Sequence, residues 1–276
     1  NPNGLFLDRD GLAYVAYSYD KKNKNVDLIQ LLPGGSHEVI AELRDNEEGK
    51  DFNAGTYVEE DGVRYAIVAS GFGGGTPKKV NLDTGDVEVW KPSKTADKAN
   101  KWAKGAKEAN VKDFSWVAEG IKYKGQTYNL VGLEGTKNGV YVFLAHSNDN
   151  VDYVSEWVSA PSGEESDYNG TYGASFNFKP GGVDSDEPSL VFFSNNGNAN
   201  GGDGFLTRLT WDDSDGDAAD TFTLTTGGPT EETSNNDGGG CAFAGAPGRW
   251  EIVVGPPDCV LDKADADGST FLLEIT

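Results

Sequence analysis

Residues 52–90 read FNAGTYVEEDGVRYAIVASGFGGGTPKKVNLDTGDVEVW, and this stretch decides the fold. Runs of apolar residues that alternate with small or polar ones predict four short strands, at residues 53–58, 63–69, 78–82 and 86–90. The runs are separated by Asp-Gly, Ser-Gly and Asp-Thr-Gly sequences, which are typical of tight antiparallel connections. Four antiparallel strands within about 40 residues is the size of one β-propeller blade.

The same pattern recurs along the chain. Five units begin near residues 3, 53, 114, 172 and 240, at a spacing of roughly 50 to 70 residues. The last unit shows three clear runs, at residues 241–244, 250–254 and 270–275. We therefore predict an all-β chain in which residues 1–276 form a single β-propeller with five four-stranded blades. A β-sandwich is the alternative, because short alternating strands at this spacing are also typical of that fold.

Residues 94–112 (KTADKANKWAKGAKEANVK) interrupt this pattern. Alanine and lysine occur there at helical density, although Gly105 weakens a helix. The segment concentrates positive charge in a chain that has little of it, so we interpret it as an inserted short helix or ordered loop. It would either dock on an acidic surface or remain a solvated basic insertion.

The chain carries 45 acidic and 23 basic residues, for a net charge of −22. This charge excludes nucleic acid as a partner, because phosphates are bound by Lys and Arg. It also disfavours anionic membrane surfaces. No run of 18 apolar residues occurs, so no transmembrane helix and no membrane insertion are predicted. An acidic chain of this kind is typical of a soluble secreted protein, and it also permits cation binding.

Two features favour an extracellular or cell-surface location. Cys241 and Cys259 are predicted to form a disulfide, which in the chain-entropy model stabilises the fold by roughly 3 kcal/mol. Two free buried thiols are the alternative. Asn169-Gly170-Thr171 is an N-glycosylation sequon. The chain begins at Asn1 and contains no Met, so we expect a processed protein or one part of a larger multidomain chain.

Two resemblances extend this interpretation. The opening NPNGLFLDRDGLAYVAYS resembles the repeat of six-bladed NHL and gluconolactonase-type propellers. The order DFNAG, YGASF, LVFFSNNG, GFLTRLT and SNNDGGGCA, over roughly residues 50–276, resembles an uncharacterised family of secreted propeller-like domains of surface proteins. That resemblance implies a fold and an extracellular setting but no catalytic residue.

The Asn-Pro-Asn-Gly-Leu opening also resembles the Asn-Asp-Pro-Asn-Gly motif of five-bladed fructan-cleaving glycosidases, in which the Asp is the nucleophile. Asn1 occupies that position here and cannot act as a nucleophile. The Arg-Asp-Pro and Glu-Cys segments of those enzymes are also missing from the sequence. This departure argues against fructan cleavage.

The segment WDDSDGD, residues 211–217, is the strongest candidate for a metal site. Asp213, Asp215 and Asp217 alternate in a loop, and Ca²⁺ binds six to eight oxygen ligands. The EF-hand pattern fails, because the glycine is displaced and no glutamate closes a twelve-residue loop. Calcium is therefore a possible cofactor, and an acidic hairpin turn is the alternative.

Ligand binding is the other predicted chemistry. Asparagine amides suit hydrogen bonds to sugar hydroxyls, and tryptophan rings stack on sugars. Trp157 is a further candidate for stacking, although both it and Trp116 also suit the core. The predicted ligand-binding residues lie at unit starts and in the Asn/Gly-rich loop 195–204: Asn53, Trp116, Asn195, Asn196, Asn236 and Asp237.

Catalysis has little support in the sequence. His37 and His146 are the only histidines, and no Ser or Cys pairs with either in a recognisable pattern. We therefore expect a non-enzymatic extracellular module for surface assembly, adhesion or glycan binding. Its partner would be a glycan or another surface protein. The alternative is a secreted hydrolase, lactonase-like or a glycosidase, with carboxylates at the propeller axis.

Overall fold

The computed structural model describes residues 2–20, 25–43, 52, 54–69, 77–90, 113–147, 153–168, 170–179, 188–195, 204–230, 260–263 and 271–274. Strands dominate these residues, and the helical structure among them consists of two short 3-10 segments, Pro33–Gly35 and Glu165–Tyr168. Among the described residues, no helical segment has the length and hydrophobicity of a membrane-spanning helix.

The described strands form four successive four-stranded sheets and one two-stranded sheet. Each four-stranded sheet is an antiparallel meander in which neighbours in sequence are neighbours in space. This is the topology of propeller blades, which we number 1 to 4. The strands are β1 Pro2–Leu7, β2 Ala13–Asp20, β3 Asn25–Leu31 and β4 His37–Glu42 in blade 1; β5 Ala54–Glu60, β6 Val63–Ala69, β7 Lys78–Asn81 and β8 Val87–Val89 in blade 2; β9 Phe114–Tyr123, β10 Gln126–Thr136, β11 Gly139–Ala145 and β12 Val154–Ser159 in blade 3; β13 Tyr172–Phe178, β14 Leu190–Asn195, β15 Gly204–Thr210 and β16 Thr223–Thr230 in blade 4; and β17 Val260–Lys263 and β18 Phe271–Glu274 in the last sheet.

The all-β class and the propeller architecture predicted from the sequence are confirmed, and the β-sandwich alternative is not. Blade 2 coincides with the predicted unit 53–90 to within two residues at every strand end. In the third unit, the sequence pattern predicts two separate strands, at residues 113–117 and 121–123. The structure instead shows one continuous strand there, β9. Gly120, with φ +75°, lies within it, and the pairing of β9 with β10 shifts register between Tyr128 and Leu130. A β-bulge thus accounts for the apparent break.

The prediction of five blades is not confirmed, because four four-stranded blades are present among the described residues. The last sheet contributes only the pair β17 and β18 there. The predicted strands at 241–244 and 250–254 lie outside the described residues, as does the Lys-rich insertion 94–112. A fifth blade therefore stays a prediction.

The first strand of each blade lies beside the first strand of the next, with β1 against β5, β5 against β9 and β9 against β13. These four strands are therefore the inner strands of the propeller. The apolar core lies between the blades in two clusters. Blade 3 contributes to both clusters, because Leu130 on one face of β10 packs toward blade 2 and Val131 on the other face packs toward blade 4.

The tightest contact between inner strands joins β1 and β5. A Cβ atom on Gly55 would overlap the carbonyl oxygen of Gly4 and lie 2.9 Å from Phe6 Cδ1. A Cβ on Gly4 would lie 3.2 Å from the backbone of Ala54, and its φ of +66° also disfavours a side chain. Backbone therefore packs directly on backbone between blades 1 and 2, and only glycine fits at these two positions.

We expect the Gly55→Ala substitution to lower the free energy of unfolding by about 3 kcal/mol or more, because the strands would have to separate. Gly62→Ala is the matched control, since Gly62 has φ +76° but open space around it. The control substitution should lower the free energy of unfolding by about 1 kcal/mol, through backbone strain alone. Urea denaturation of both variants measures the difference, and equal losses would contradict the close approach of β1 and β5.

Candidate functional site

Asp8, directly after inner strand β1, is a fully buried carboxylate with 0% exposure. Its Oδ1 accepts hydrogen bonds from the backbone N–H groups of Asp10 and Leu12, each at 2.9 Å. Its Oδ2 accepts the Tyr14 hydroxyl at 3.1 Å and Arg64 Nη1 at 3.2 Å. Burial and the neighbouring carboxylate raise the pKa of Tyr14 far above its usual range, so its hydroxyl stays a donor.

Arg64 extends this network from blade 1 into blade 2. Its guanidinium also donates to Asp83, which lies in the turn after β7. The hydrogen bond to Asp83 is the main reason that the pKa of Arg64 is raised. The Asp8 carboxylate therefore closes its own hairpin turn and holds a cation from the neighbouring blade.

Two further inner-strand carboxylates also bind a neighbouring blade. Glu59 of β5 accepts Arg9 Nη1 at 3.2 Å and the Tyr57 hydroxyl at 2.9 Å. Glu119 of β9 accepts the backbone N–H of Ser189 at 2.6 Å and its hydroxyl at 2.9 Å. These contacts link blades 1 and 2 and blades 3 and 4, so both carboxylates have structural roles.

The start of β9 carries one more buried carboxylate. Asp113 is 1% exposed, and its Oδ1 accepts the backbone N–H of Phe114 at 2.9 Å. Nearby, the Asn177 side chain of β13 donates to the backbone carbonyl of Trp116, which joins the inner strands of blades 3 and 4. The hydrogen bonds at this end of the inner strands therefore also connect strands to one another.

The aspartates proposed as calcium ligands join blade 4 to blade 3. Asp213 Oδ2 accepts the backbone N–H of Lys122, and Asp217 Oδ1 accepts that of Lys124, each at 2.9 Å. Asp215 Oδ1 accepts the N–H of Asp217 at 3.1 Å. Backbone hydrogen bonds lower the pKa of Asp217.

These contacts give the acidic loop a structural role, in agreement with the acidic-hairpin alternative. In the part of the chain that the structure describes, no group of three His, Cys, Asp or Glu side chains is arranged to hold a metal ion. Calcium binding at Asp213, Asp215 and Asp217 stays a prediction.

Two of the predicted ligand-binding residues are described, and both are buried. Trp116 is 5% exposed, and its ring meets that of Tyr57 edge-on with centroids 5.5 Å apart. Asn195 donates to the carbonyl of Asp167 at 2.6 Å and accepts the N–H of Phe205 at 2.9 Å. Both side chains thus support the fold where they lie, and their ligand contacts stay predictions. The remaining predicted residues lie outside the described part of the chain: Asn53, Asn196, Asn236, Asp237, Cys241, Cys259 and the sequon residue Asn169.

The two histidines lie in different settings. His37 begins β4 and is exposed. His146 follows β11 and is partly buried, and this burial lowers the pKa of its imidazole, so that the neutral ring is favoured near neutral pH. Its ring lies 6.3 Å from that of Tyr128. These positions give neither histidine the environment of a known triad.

A pair of neighbouring aromatic side chains on blade 3 is open to solvent. Trp157 of β12 is 47% exposed, and Tyr141 of β11 is 39% exposed. The two residues are direct cross-strand partners, so their side chains lie on the same face of the sheet. Tyr141 is flanked by Phe143, with ring centroids 6.4 Å apart, and Phe143 in turn approaches Tyr153.

Small or polar residues surround this pair. Glu134 of β10 is the cross-strand partner of Tyr141, which makes Glu134, Tyr141 and Trp157 one continuous row across three strands. We call this row the aromatic platform. Ser155 and Ser159 lie two residues before and after Trp157, on the same face, and both are exposed. The opposite face of the same strands is apolar and buried against blade 4.

The sequence contained a signal for this exposure. Along residues 154–159 (VSEWVS), Trp157 alternates in phase with Ser155 and Ser159 and out of phase with the buried Val158. A tryptophan in phase with serines indicates the solvent face of a strand. The interpretation of Trp157 as a core residue is therefore wrong, whereas the same interpretation of Trp116 is confirmed.

No protein-family model matches this chain, and no curated protein matches it. Among solved structures, it is similar to a GH62 hydrolase whose crystal structure was determined in complex with xylotriose. The identity is 14% and the TM-score 0.42, over 90% of this chain and 74% of that one. The similarity is too low to transfer an activity or ligand. The predicted kinship with NHL and gluconolactonase-type propellers also stays a prediction.

We expect Asp8→Ala to lower the free energy of unfolding by about 3 to 5 kcal/mol. Arg64 would lose a buried partner, and two backbone N–H groups would lose their hydrogen-bond acceptor. Asp10→Ala is the matched control, since Asp10 is exposed and lies 3.8 Å from the same guanidinium. The control should cost less than about 1 kcal/mol. Equal losses for the two variants in urea denaturation would show that Asp8 has no special role.

Asp217→Asn should lower the melting temperature at pH 7, because its hydrogen bonds to Lys124 and Ala219 favour the ionised carboxylate. Because the pKa of Asp217 is lower in the folded state, its ionised carboxylate stabilises the fold above the unfolded pKa of about 3.9. This stabilisation is lost as the pH falls through the folded pKa. The difference from wild type should therefore begin to narrow as pH falls below about 4. A difference that is as large at pH 3 as at pH 7 would contradict this role, and melting with Ca²⁺ or EDTA tests the calcium prediction in parallel.

Proposed function

We propose that this chain is an extracellular, non-enzymatic binding module that holds carbohydrate on the aromatic platform of blade 3. The observation that carries the proposal is the exposed, directly paired Tyr141 and Trp157. Two large aromatic side chains left side by side in water cost free energy that an occupant would recover. The C–H-rich face of a sugar ring suits the face of an aromatic ring, and its hydroxyls suit the polar surroundings.

The surroundings of the pair favour a sugar over an apolar protein surface. Ser155 and Ser159 offer exposed hydroxyl groups on the same face as the rings. A protein interface of stable size would need a larger apolar centre than two neighbouring rings. A few aromatic contacts combined with flanking polar groups are the composition of a small-molecule or oligosaccharide surface.

The hydrolase alternative has weaker support. Glycoside hydrolysis needs two carboxyl groups that face each other across the scissile bond. Three carboxylates after or within the inner strands, Asp8, Glu59 and Glu119, contact neighbouring blades. Glu60 of β5 accepts Lys79 Nζ at 2.6 Å within its own blade. Asp113, directly before β9, accepts the backbone N–H of Phe114. A binding module therefore fits these residues better than a hydrolase.

Secretion, the Cys241–Cys259 disulfide, glycosylation at Asn169 and a role in adhesion or surface assembly are parts of the same proposal. They rest on the sequence, because these residues lie outside the described part of the chain. A module that binds glycans without cleaving them would suit attachment between a cell surface and a polysaccharide. If the ligand binds on an outer strand of one blade, the inner strands need not contact it.

We expect Trp157→Ala to weaken binding to soluble polysaccharides by at least tenfold, or about 1.4 kcal/mol, because half of the stacking surface is lost. Tyr17→Ala is the matched control, since Tyr17 is 37% exposed on blade 1. The control should bind as the wild type does. Affinity electrophoresis against a polysaccharide panel measures both, and binding that survives in Trp157→Ala would contradict the proposal.

A further inference from the structure

We infer that the aromatic platform recognises glycans as extended chains, with one sugar unit on Tyr141 and the next on Trp157, and does not recognise single sugars. This inference deepens the proposed function and rests on it. The observations that carry it are the cross-strand pairing of the two residues, the exposure of each ring and the position of Trp157 at the edge of the sheet.

The two rings lie side by side on a line that crosses the strands. Tyr141 and Trp157 are opposite each other in the antiparallel pair of β11 and β12, so both side chains leave the same face of the sheet. The Cβ atoms of such a pair lie about 4.5 to 5.5 Å apart. One sugar unit of an extended 1,4-linked chain has a similar length. A chain that crosses the strands can therefore place successive units over the two rings.

Each ring offers a surface of its own. Tyr141 contacts the ring of Phe143 on its own strand, with centroids 6.4 Å apart. Tyr141 and Trp157, both within the described part of the chain, make no ring contact with each other, and both side chains are exposed. One pyranose ring is large enough to cover one aromatic ring, so a second sugar unit is needed to cover the other. The stacking free energy should therefore increase from one unit to two.

The end of the row at Trp157 is open to a longer chain. Its strand, β12, is the outermost strand in the sheet order of blade 3. Ser155 and Ser159 lie on the same face of β12, are exposed and are much shorter than the indole ring. A chain can therefore continue past Trp157 over the edge of the sheet without meeting a bulky side chain of this strand. We expect units within a long chain to bind as well as those at its ends.

The strand that carries Trp157 is held from its opposite face. Val158 packs in the apolar cluster that blade 3 shares with blade 4. Glu156 Oε1 accepts the backbone N–H of Asp220 of blade 4 at 2.8 Å. These contacts fix the backbone beneath Trp157 relative to that beneath Tyr141. A chain that binds both rings therefore meets a surface whose backbone is already ordered, which lowers the entropic cost of binding.

The arrangement of the two rings favours extended chains over coiled ones. Both rings leave one face of a sheet, and adjacent strands of a sheet are rotated by only about 20 to 25° relative to each other. Chains of β-1,4-linked glucose or mannose are extended ribbons, and successive units of such a ribbon can follow this surface. A chain of α-1,4-linked glucose coils, so the unit after the first would turn away from the second ring.

The test is a length series measured with the full chain by NMR titration, which detects weak binding. One series contains glucose, cellobiose, cellotriose and cellohexaose, and the other contains mannose and the corresponding β-1,4-linked mannose oligomers. In the series that binds, affinity should rise at least tenfold, or about 1.4 kcal/mol, from one unit to two. From three units to six it should rise by about threefold or less, because a longer chain adds only further registers on the same two rings. Maltohexaose, which is α-1,4-linked, should bind at least tenfold more weakly than the β-1,4-linked hexamer.

Two variants connect this length dependence to the two rings. Tyr141→Ala and Trp157→Ala should each remove most of the gain in affinity from one unit to two, because one ring remains in either variant. Tyr17→Ala is the control and should keep the full gain, since Tyr17 lies on blade 1. Melting temperatures of the three variants show whether each is folded, and the exposure of all three side chains leads us to expect small changes.

The outcomes separate this inference from the proposed function. A single sugar that binds as tightly as the matching hexamer would overturn the inference, while binding that Trp157→Ala still weakens would leave the proposed function standing. A length gain that survives in Tyr141→Ala, or maltohexaose bound as tightly as the β-1,4-linked hexamer, would also overturn the inference. If no sugar binds, or if Trp157→Ala has no effect on binding, the proposed function itself fails and the inference fails with it.

Discussion

The backbones of β1 and β5 meet at Gly4 and Gly55 with no room for a side chain. This contact sets the spacing between the first two inner strands. Ala54, next to Gly55, carries only a methyl group, and the Phe6 ring stacks on Tyr14 of its own blade. A ligand site that needs large groups therefore has little space between these strands. The outer strands are not limited by this contact, and the exposed pair Tyr141 and Trp157 lies on the third and fourth strands of blade 3.

Acidic side chains form several of the contacts that join neighbouring blades. Asp8 binds Arg64, Glu119 binds Ser189, and Asp213 and Asp217 bind backbone groups of Lys122 and Lys124. Each contact connects one blade to the next, where backbone N–H groups or a guanidinium would otherwise be left without an acceptor. Part of the acidic composition is therefore structural. The remainder gives the protein a surface that repels polyanions and leaves neutral partners unaffected.

The sequence predicted the fold more fully than the proposed site, for physical reasons. Blade 2 could be predicted strand by strand, because alternation and Asp-Gly turns are local signals. In blade 3, the sequence could not predict that the two runs form one strand, β9. The bulge at Gly120 that joins them depends on pairing with β10, which is not a local signal. Asn195 and Trp116 were predicted as ligand residues from residue type, but whether such side chains face solvent depends on the neighbouring blade. Tyr141 was missed, although the phase of Trp157 with two serines indicated the exposed face.

We propose that the functional surface lies on the outer strands of blade 3 and that the inner strands have structural roles. A crystal structure of the full chain with a bound neutral hexasaccharide, such as mannohexaose or cellohexaose, tests this division most directly. We expect sugar rings stacked on Tyr141 and Trp157. Sugar bound instead beside Asp113 at the start of the inner strands, with blade 3 unoccupied, would contradict the account and favour the hydrolase alternative.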